Sequence, residues 1–264
     1  MSRRYGRVEM LAVTVCLMTA STHAQTFTDQ ARDEVRAAKH QALDADLKAD
    51  WNGLLDARDQ FAKLPATGDV GALRLYYLGY VDWRLSSLAY VGLGAKLVNP
   101  LVSRAVDELK QSAALQPASA ETQGLLAMCA GLMIAFDRTR TEELRPVTQA
   151  AWQQALEVGK DNPRVQFLRA MVEVFAPPEF GGNRDGGLER WKHAIELFDK
   201  EATSAPAPEA PDWGRAESWA WLGGAYSNLD RREDAVPALE RAVAIRPDFW
   251  WAARAALPQA KRQP

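Results

Sequence analysis

The sequence predicts an all-α protein, an α-α superhelix built as a solenoid of antiparallel helix pairs, on three observations. Apolar residues recur at three- and four-residue spacing along most of the chain. A short pattern of small and apolar residues closing on proline returns several times. Glycine and proline cluster between these stretches and punctuate them as turns. The 264 residues are 47% hydrophobic and 25% charged, which is enough apolar content for a packed core and excludes a disordered or collagen-like chain.

Residues 1–24 read as a signal peptide. Arg3, Arg4 and Arg7 form a basic start, and "MLAVTVCLMTA" follows as an apolar stretch of about eleven residues, too short to cross a bilayer. Thr22 and Ala24 are the small residues that precede a cleavage site. Cleavage after Ala24 would leave a periplasmic or secreted chain. It removes three arginines and one glutamate, so the net charge moves from −2 to −4, a poor match to nucleic acid. No later apolar run reaches 18 residues without a charge, so no membrane span is expected in the mature chain. Cys16 leaves with the signal. Cys129 remains within the apolar "GLLAMCAGLMI", where a buried structural thiol is expected.

Residues 25–72 are expected to form an N-terminal helical cap of one or two amphipathic helices. Ala31, Val35, Ala38, Leu43 and Leu47 make one apolar stripe, and Trp51, Leu54, Leu55 and Phe61 a second. Residues 73–200 are expected to hold divergent repeats. Their second helices show the spacing Ala105, Leu109, Ser112, Pro117, then Ala151, Ala155, Val158, Pro163, and more weakly Gly187, Trp191, Ala194, Asp199. The prolines of "EATSAPAPEAPDWG", residues 201–214, forbid helix and predict an extended linker that loosens the last repeat. Residues 215–264 are expected to hold the last repeat and a capping tail.

In this last unit Trp219, Leu222, Gly223 and Tyr226 are followed by Ala235, Leu239, Ala242, Ile245 and Pro247. The spacing W-x2-L-G-x2-Y, A-x3-L-x2-A, P resembles the tetratricopeptide repeat at every signature position. Gly223 and Ala235 are small where two helices must approach closely, and Pro247 stops the second helix. The unit starts at 105, 151, 187 and 235 are 46, 36 and 48 residues apart, longer than the family's period of about 34, so insertions are expected between helices.

The glycine-rich "PPEFGGNRDGG", Pro177 to Gly187, invites comparison with a phosphate-binding loop. It lacks the lysine and hydroxyl of a P-loop and the G-x-G-x2-G spacing of a dinucleotide site, and a helical stretch precedes it where either would need a strand. It reads as an elongated turn: Gly182 in a left-handed conformation, Asn183 capping the next helix, Phe180 aimed back into the core. Together with "DNPR" at Asp161 to Arg164, it is similar to turns of periplasmic repeat proteins. His40 and His193 each follow a lysine on a helix and are expected at the surface, with no H-E-x2-H, cysteine cluster or G-x-S-x-G elbow in the chain. No catalytic residue, metal or cofactor is therefore assigned, and no enzyme is expected.

The resemblance implies a non-catalytic scaffold or adaptor binding a protein or peptide partner in a concave groove lined by the first helix of each pair. Family members turn to the groove the positions occupied here by Glu217, Ala220, Gly224, Ser227 and Asn228, with Arg169 and Glu173 as candidates in an earlier repeat. Trp250 and Trp251 close the chain and are expected to cap the solenoid or meet the partner. An alternative is a small-molecule accessory protein resembling the helical-repeat subunits of TRAP-type uptake systems, with a ligand channel through the solenoid.

Overall fold

A computed structural model describes residues 28–262, so the signal-peptide reading lies outside the described residues. Those residues form five antiparallel helix pairs: α1 (Asp29–Leu47) with α2 (Trp51–Lys63), α3 (Gly68–Leu88) with α4 (Val98–Leu115), α5 (Ala120–Phe136) with α6 (Thr141–Val158), α7 (Pro163–Phe175) with α8 (Arg184–Glu201), and α9 (Arg215–Ser227) with α10 (Arg232–Ile245). A π-helical turn, Trp251–Ala256, leads into a short α11 (Leu257–Arg262). No strand occurs among the described residues. The chain is an all-α solenoid of helix pairs.

Local chemistry fixes the helix starts. The side chains of Thr28, Asp50, Ser119, Asn162 and Asn183 accept hydrogen bonds from first-turn amides of α1, α2, α5, α7 and α8. Within pairs, the small residues of the repeating pattern let helices meet. A Cβ on Gly79 would stand 2.6 Å from Leu109 Cγ, and one on Gly223 2.7 Å from Leu239 Cγ, so the same register recurs in the second and fifth pairs. Ala105, Ala155, Trp191, Ala194, Ala235, Leu239 and Ala242 are fully buried at their expected positions. Val158 departs from the pattern: as the last residue of α6 it is exposed. Cys129 is buried in the core, and burial pushes its thiol up, so it stays protonated.

The elongated turn also differs in detail from its sequence reading. Asn183 caps α8 as expected, but the left-handed residue is Gly181, with φ 90°, not Gly182. Phe180 is not in the core. It is 41% exposed, with the Arg138 guanidinium 5.0 Å over its ring, because the single 3₁₀ turn Pro178–Phe180 ends on the surface.

Between α2, α3 and α4 lies a buried ionic cluster. Asp82, fully buried, accepts two hydrogen bonds each from Arg58 and Arg104, and Arg58 also donates to Glu108. Burial, reinforced by Asp82 and opposed by Arg58, pushes the Glu108 carboxyl up to about 7. A folded-state pKa above the ordinary carboxylate value favours folding most at low pH. That contribution disappears as pH rises toward 7 and stays lost above it. Unfolding in urea at pH 5 and pH 8 is expected to show the protein more stable at the lower pH by about 2 kcal/mol from this group. Glu108→Gln removes that part of the difference.

The two ends of the solenoid touch. Leu47 at the end of α1 is buried among Ala216, Ala220, Ala242, Phe249 and Ala252 from the last pair and the turn after it. Arg246 pairs with Asp44 at 2.7 Å, and Lys48 with Asp248 at 3.8 Å. The superhelix closes on itself, so its inner face is a narrow interior.

Candidate functional site

The inner face is built from the first helices. From α3 come Tyr76, Tyr77, Tyr80 and Trp83, all buried, and from α7 comes Phe167, also buried. Their spacing is what a helix needs to keep one aromatic stripe facing inward. The Tyr77 ring stacks on Phe61 with centroids 4.7 Å apart, and Tyr80 meets Trp83 edge to face at 5.9 Å.

Into this face runs the segment between α8 and α9. Residues 202–208 are exposed, and prolines at 206, 208 and 211 keep helix from forming and withhold three backbone donors. Trp213 then turns inward and is only 3% exposed. Its indole N–H donates to Tyr76 Oη at 2.8 Å, and its ring lies 5.3 Å from Tyr80, 5.8 Å from Trp83 and 6.0 Å from Phe167. The next residue, Gly214, has φ 109°, and a Cβ there would stand 2.4 Å from Phe198 Cζ, so only glycine makes the turn into α9. The Gly214 amide donates to Glu217 Oε2 at 3.1 Å, which closes the start of that helix.

The second anchor is Lys39 of α1. It is 3% exposed, and its ammonium donates to the carbonyls of Pro208 at 2.8 Å and Ala210 at 3.0 Å while pairing with the Asp212 carboxylate at 2.9 Å. Tyr77 Oη donates to the Glu209 carbonyl at 3.3 Å, and Arg32 lies 3.7 Å from the Glu209 carboxylate. The proline-rich segment therefore does not loosen the last repeat. It is a strap tied across the first helices, because Lys39 and Tyr77 meet its carbonyls and Trp213 fills the aromatic interior.

Further charges lie near the tyrosines of α3. Arg84 donates to Asp46 at 2.7 Å beside Tyr80, and the Glu217 carboxyl, raised by burial, lies near that pair. Arg164, 1% exposed, donates to Glu121 at 3.1 Å and grips Glu201 with two hydrogen bonds at 2.8 and 2.9 Å. Burial raises Glu121 despite the attraction of Arg164. The hydroxyls of Tyr76, Tyr77 and Tyr80 are pushed well up by burial and stay neutral; Tyr76 and Tyr77 hydrogen-bond Trp213 and the Glu209 carbonyl, whereas the Tyr80 hydroxyl is buried without a partner. What this arrangement can do chemically is hold main-chain carbonyls, carboxylates and an aromatic ring.

The residues singled out from sequence lie in separate places. Arg169 and Glu173 pair with each other at 3.1 Å, and Glu173 also receives Arg190 at 2.8 Å. The Arg169 guanidinium lies over Trp152. Glu217 is buried and bonded to its own helix start. Ser227, the last residue of α9, is half-buried, and Asn228, which caps that helix, is exposed. Trp250 is exposed, whereas Trp251 packs against Trp221 with centroids 5.0 Å apart and the rings tilted by 34°. Sequence reasoning missed Lys39, Tyr76, Tyr77 and Trp213. One signal was available: Lys39 stands four residues after Val35 and four before Leu43, inside an apolar stripe.

Two clefts lie away from this site. One of ≈ 500 Å³ is lined by Pro117, Gln123, Leu126, Ala151 and Gln154, and one of ≈ 1100 Å³ by Arg232, Glu233, Pro237 and Lys261 among others. Among the described residues no group of three His, Cys, Asp or Glu side chains is placed to hold a metal ion, and no helix is long and apolar enough to cross a membrane. His40 and His193 are exposed.

No protein-family model matches the chain, and no curated protein matches it. Among solved structures, it is similar to the Assembly Chaperone of RpL4 (Acl4), residues 1–338, with 17% identity, a TM-score of 0.34, and coverage of 88% of this chain and 89% of that one.

Proposed function

We propose that this chain is an exported, non-catalytic scaffold of the tetratricopeptide type, which holds a non-helical segment of a protein partner along the face made by its first helices. The observation that carries this reading is how that face treats the strap. Lys39 and Tyr77 recognise backbone carbonyls, and Lys39 also takes a carboxylate. Main-chain carbonyls are what any peptide offers, here at a proline-containing turn in which the Ala210 amide donates to the Ala207 carbonyl, so this is the chemistry of peptide binding. The buried tyrosines and the buried thiol stay protonated at neutral pH, which suits a binding surface better than acid-base or nucleophilic work. A small-molecule channel along the axis fits less well, because Trp213 occupies the aromatic interior that would line it.

Crosslinking with a periplasmic extract, followed by mapping of the linked residues, tests the reading. A specific partner is expected, with its links concentrated on α1, α3, α5, α7, α9 and the strap. Links spread evenly over the second helices, or no enrichment over an unrelated solenoid, would overturn it.

A further inference from the structure

Lys39 poses a problem that its surroundings solve in only one way. A lysine with 3% exposure in the stripe of Val35, Ala38 and Ala42 is costly unless its ammonium is fully partnered. Its two carbonyl acceptors and its carboxylate all come from the strap, from Pro208, Ala210 and Asp212. Tyr77 likewise sends its hydroxyl to a strap carbonyl. These two helix residues thus form a clamp whose ligand is a segment of irregular chain, three to five residues of which supply every acceptor.

The strap itself looks like an occupant more than a structural element. Up to residue 208 it is exposed, its small alanines and prolines bury little, and its three prolines leave few donors that would tie it to neighbouring backbone. Beyond the clamp and the Arg32–Glu209 pair, the segment is anchored by Trp213.

Resting on the peptide-binding reading above, we infer that the Lys39–Tyr77 clamp is a recognition subsite for a proline-containing turn segment with acidic side chains, which residues 205–212 of the chain itself occupy as an intramolecular ligand, their turn closed by the Ala210 amide donating to the Ala207 carbonyl at 2.9 Å. A partner segment of that chemistry takes the same carbonyl and carboxylate positions by displacing the strap, while Trp213 stays in place and keeps the fold intact. Tethered at both ends, the strap competes at an effective concentration on the order of millimolar, so only a matching segment of good affinity or high local concentration enters. The strap therefore sets the threshold for binding.

The probe is a fluorescent peptide carrying the sequence of residues 204–212, titrated into the full chain and into a variant with residues 205–212 replaced by glycine and serine and Trp213 retained. The variant is expected to bind the peptide at least tenfold more tightly than the unaltered chain. Adding Lys39→Met to the variant is expected to weaken binding at least tenfold, as is replacing the peptide's glutamate and aspartate by their amides. Equal binding by the two chains, or binding indifferent to Lys39→Met, would overturn the inference. Should the strap-replaced variant not fold, limited proteolysis of the otherwise unaltered chain decides: Lys39→Met is expected to speed cleavage within residues 203–209 at least fivefold, and an unchanged rate counts against the clamp. The two readings separate cleanly. A partner crosslinked along the first helices with no peptide binding keeps the scaffold and sinks the clamp.

Discussion

Replacing Trp213 by alanine lowers stability by about 3–5 kcal/mol, the cost of emptying a large buried aromatic site, and lowers the melting temperature by roughly 10 °C. The effect is large because one ring touches three first-helix aromatics and one indole N–H satisfies a buried tyrosine. Trp213→Phe separates the two contributions, since it keeps a ring and removes the hydrogen bond to Tyr76. It is expected to cost about 1–2 kcal/mol. Thermal unfolding followed by circular dichroism measures both. A loss below about 1 kcal/mol for the alanine variant would mean that the strap does not enter the interior.

Arg164→Met is expected to cost about 2–4 kcal/mol, because it leaves the half-buried Glu121 carboxylate, then held only by the Asn162 amide, without its cation. Glu201 loses the same partner but is more exposed and regains water. The two carboxylates give the prediction a pH signature. Burial already holds Glu121 above its ordinary range, and removing Arg164 raises it further, so the variant recovers stability as pH falls and Glu121 takes a proton. Urea unfolding at pH 7 and pH 4.5 is expected to show a smaller difference from the unaltered protein at the lower pH. A second change, Glu121→Gln, should restore part of the loss at neutral pH, as removing the orphaned charge of a broken pair does.

How far the sequence led depends on the range of the forces involved. The second helices were legible because small residues at a fixed spacing answer to contacts within one pair, as Gly79 with Leu109 and Gly223 with Leu239. Proline excluded helix from the strap for a purely local reason, its missing N–H and fixed φ. Closure was not legible. The meeting of Leu47 with Ala216 and Ala220 depends on the accumulated curvature of several pairs, which no local pattern encodes. The same curvature sends the strap inward, so Trp213 stood in the sequence as an aromatic without an assignment. Phe180 failed for the opposite reason: its placement turns on one 3₁₀ turn and a neighbouring arginine from another pair. Of the clamp, only Lys39 left a trace, as a charge inside an apolar stripe. Its three acceptors lie 169 or more residues away along the chain.

The central claim is that the proline-rich segment is seated on the first helices through Lys39. A double-mutant cycle with Lys39→Met and Asp212→Asn, read by urea unfolding of the full chain, tests it most directly. A half-buried pair 2.9 Å apart is expected to give a coupling energy of about 1–2 kcal/mol. Additivity of the two single changes within about 0.3 kcal/mol would contradict it, since residues that do not touch do not couple.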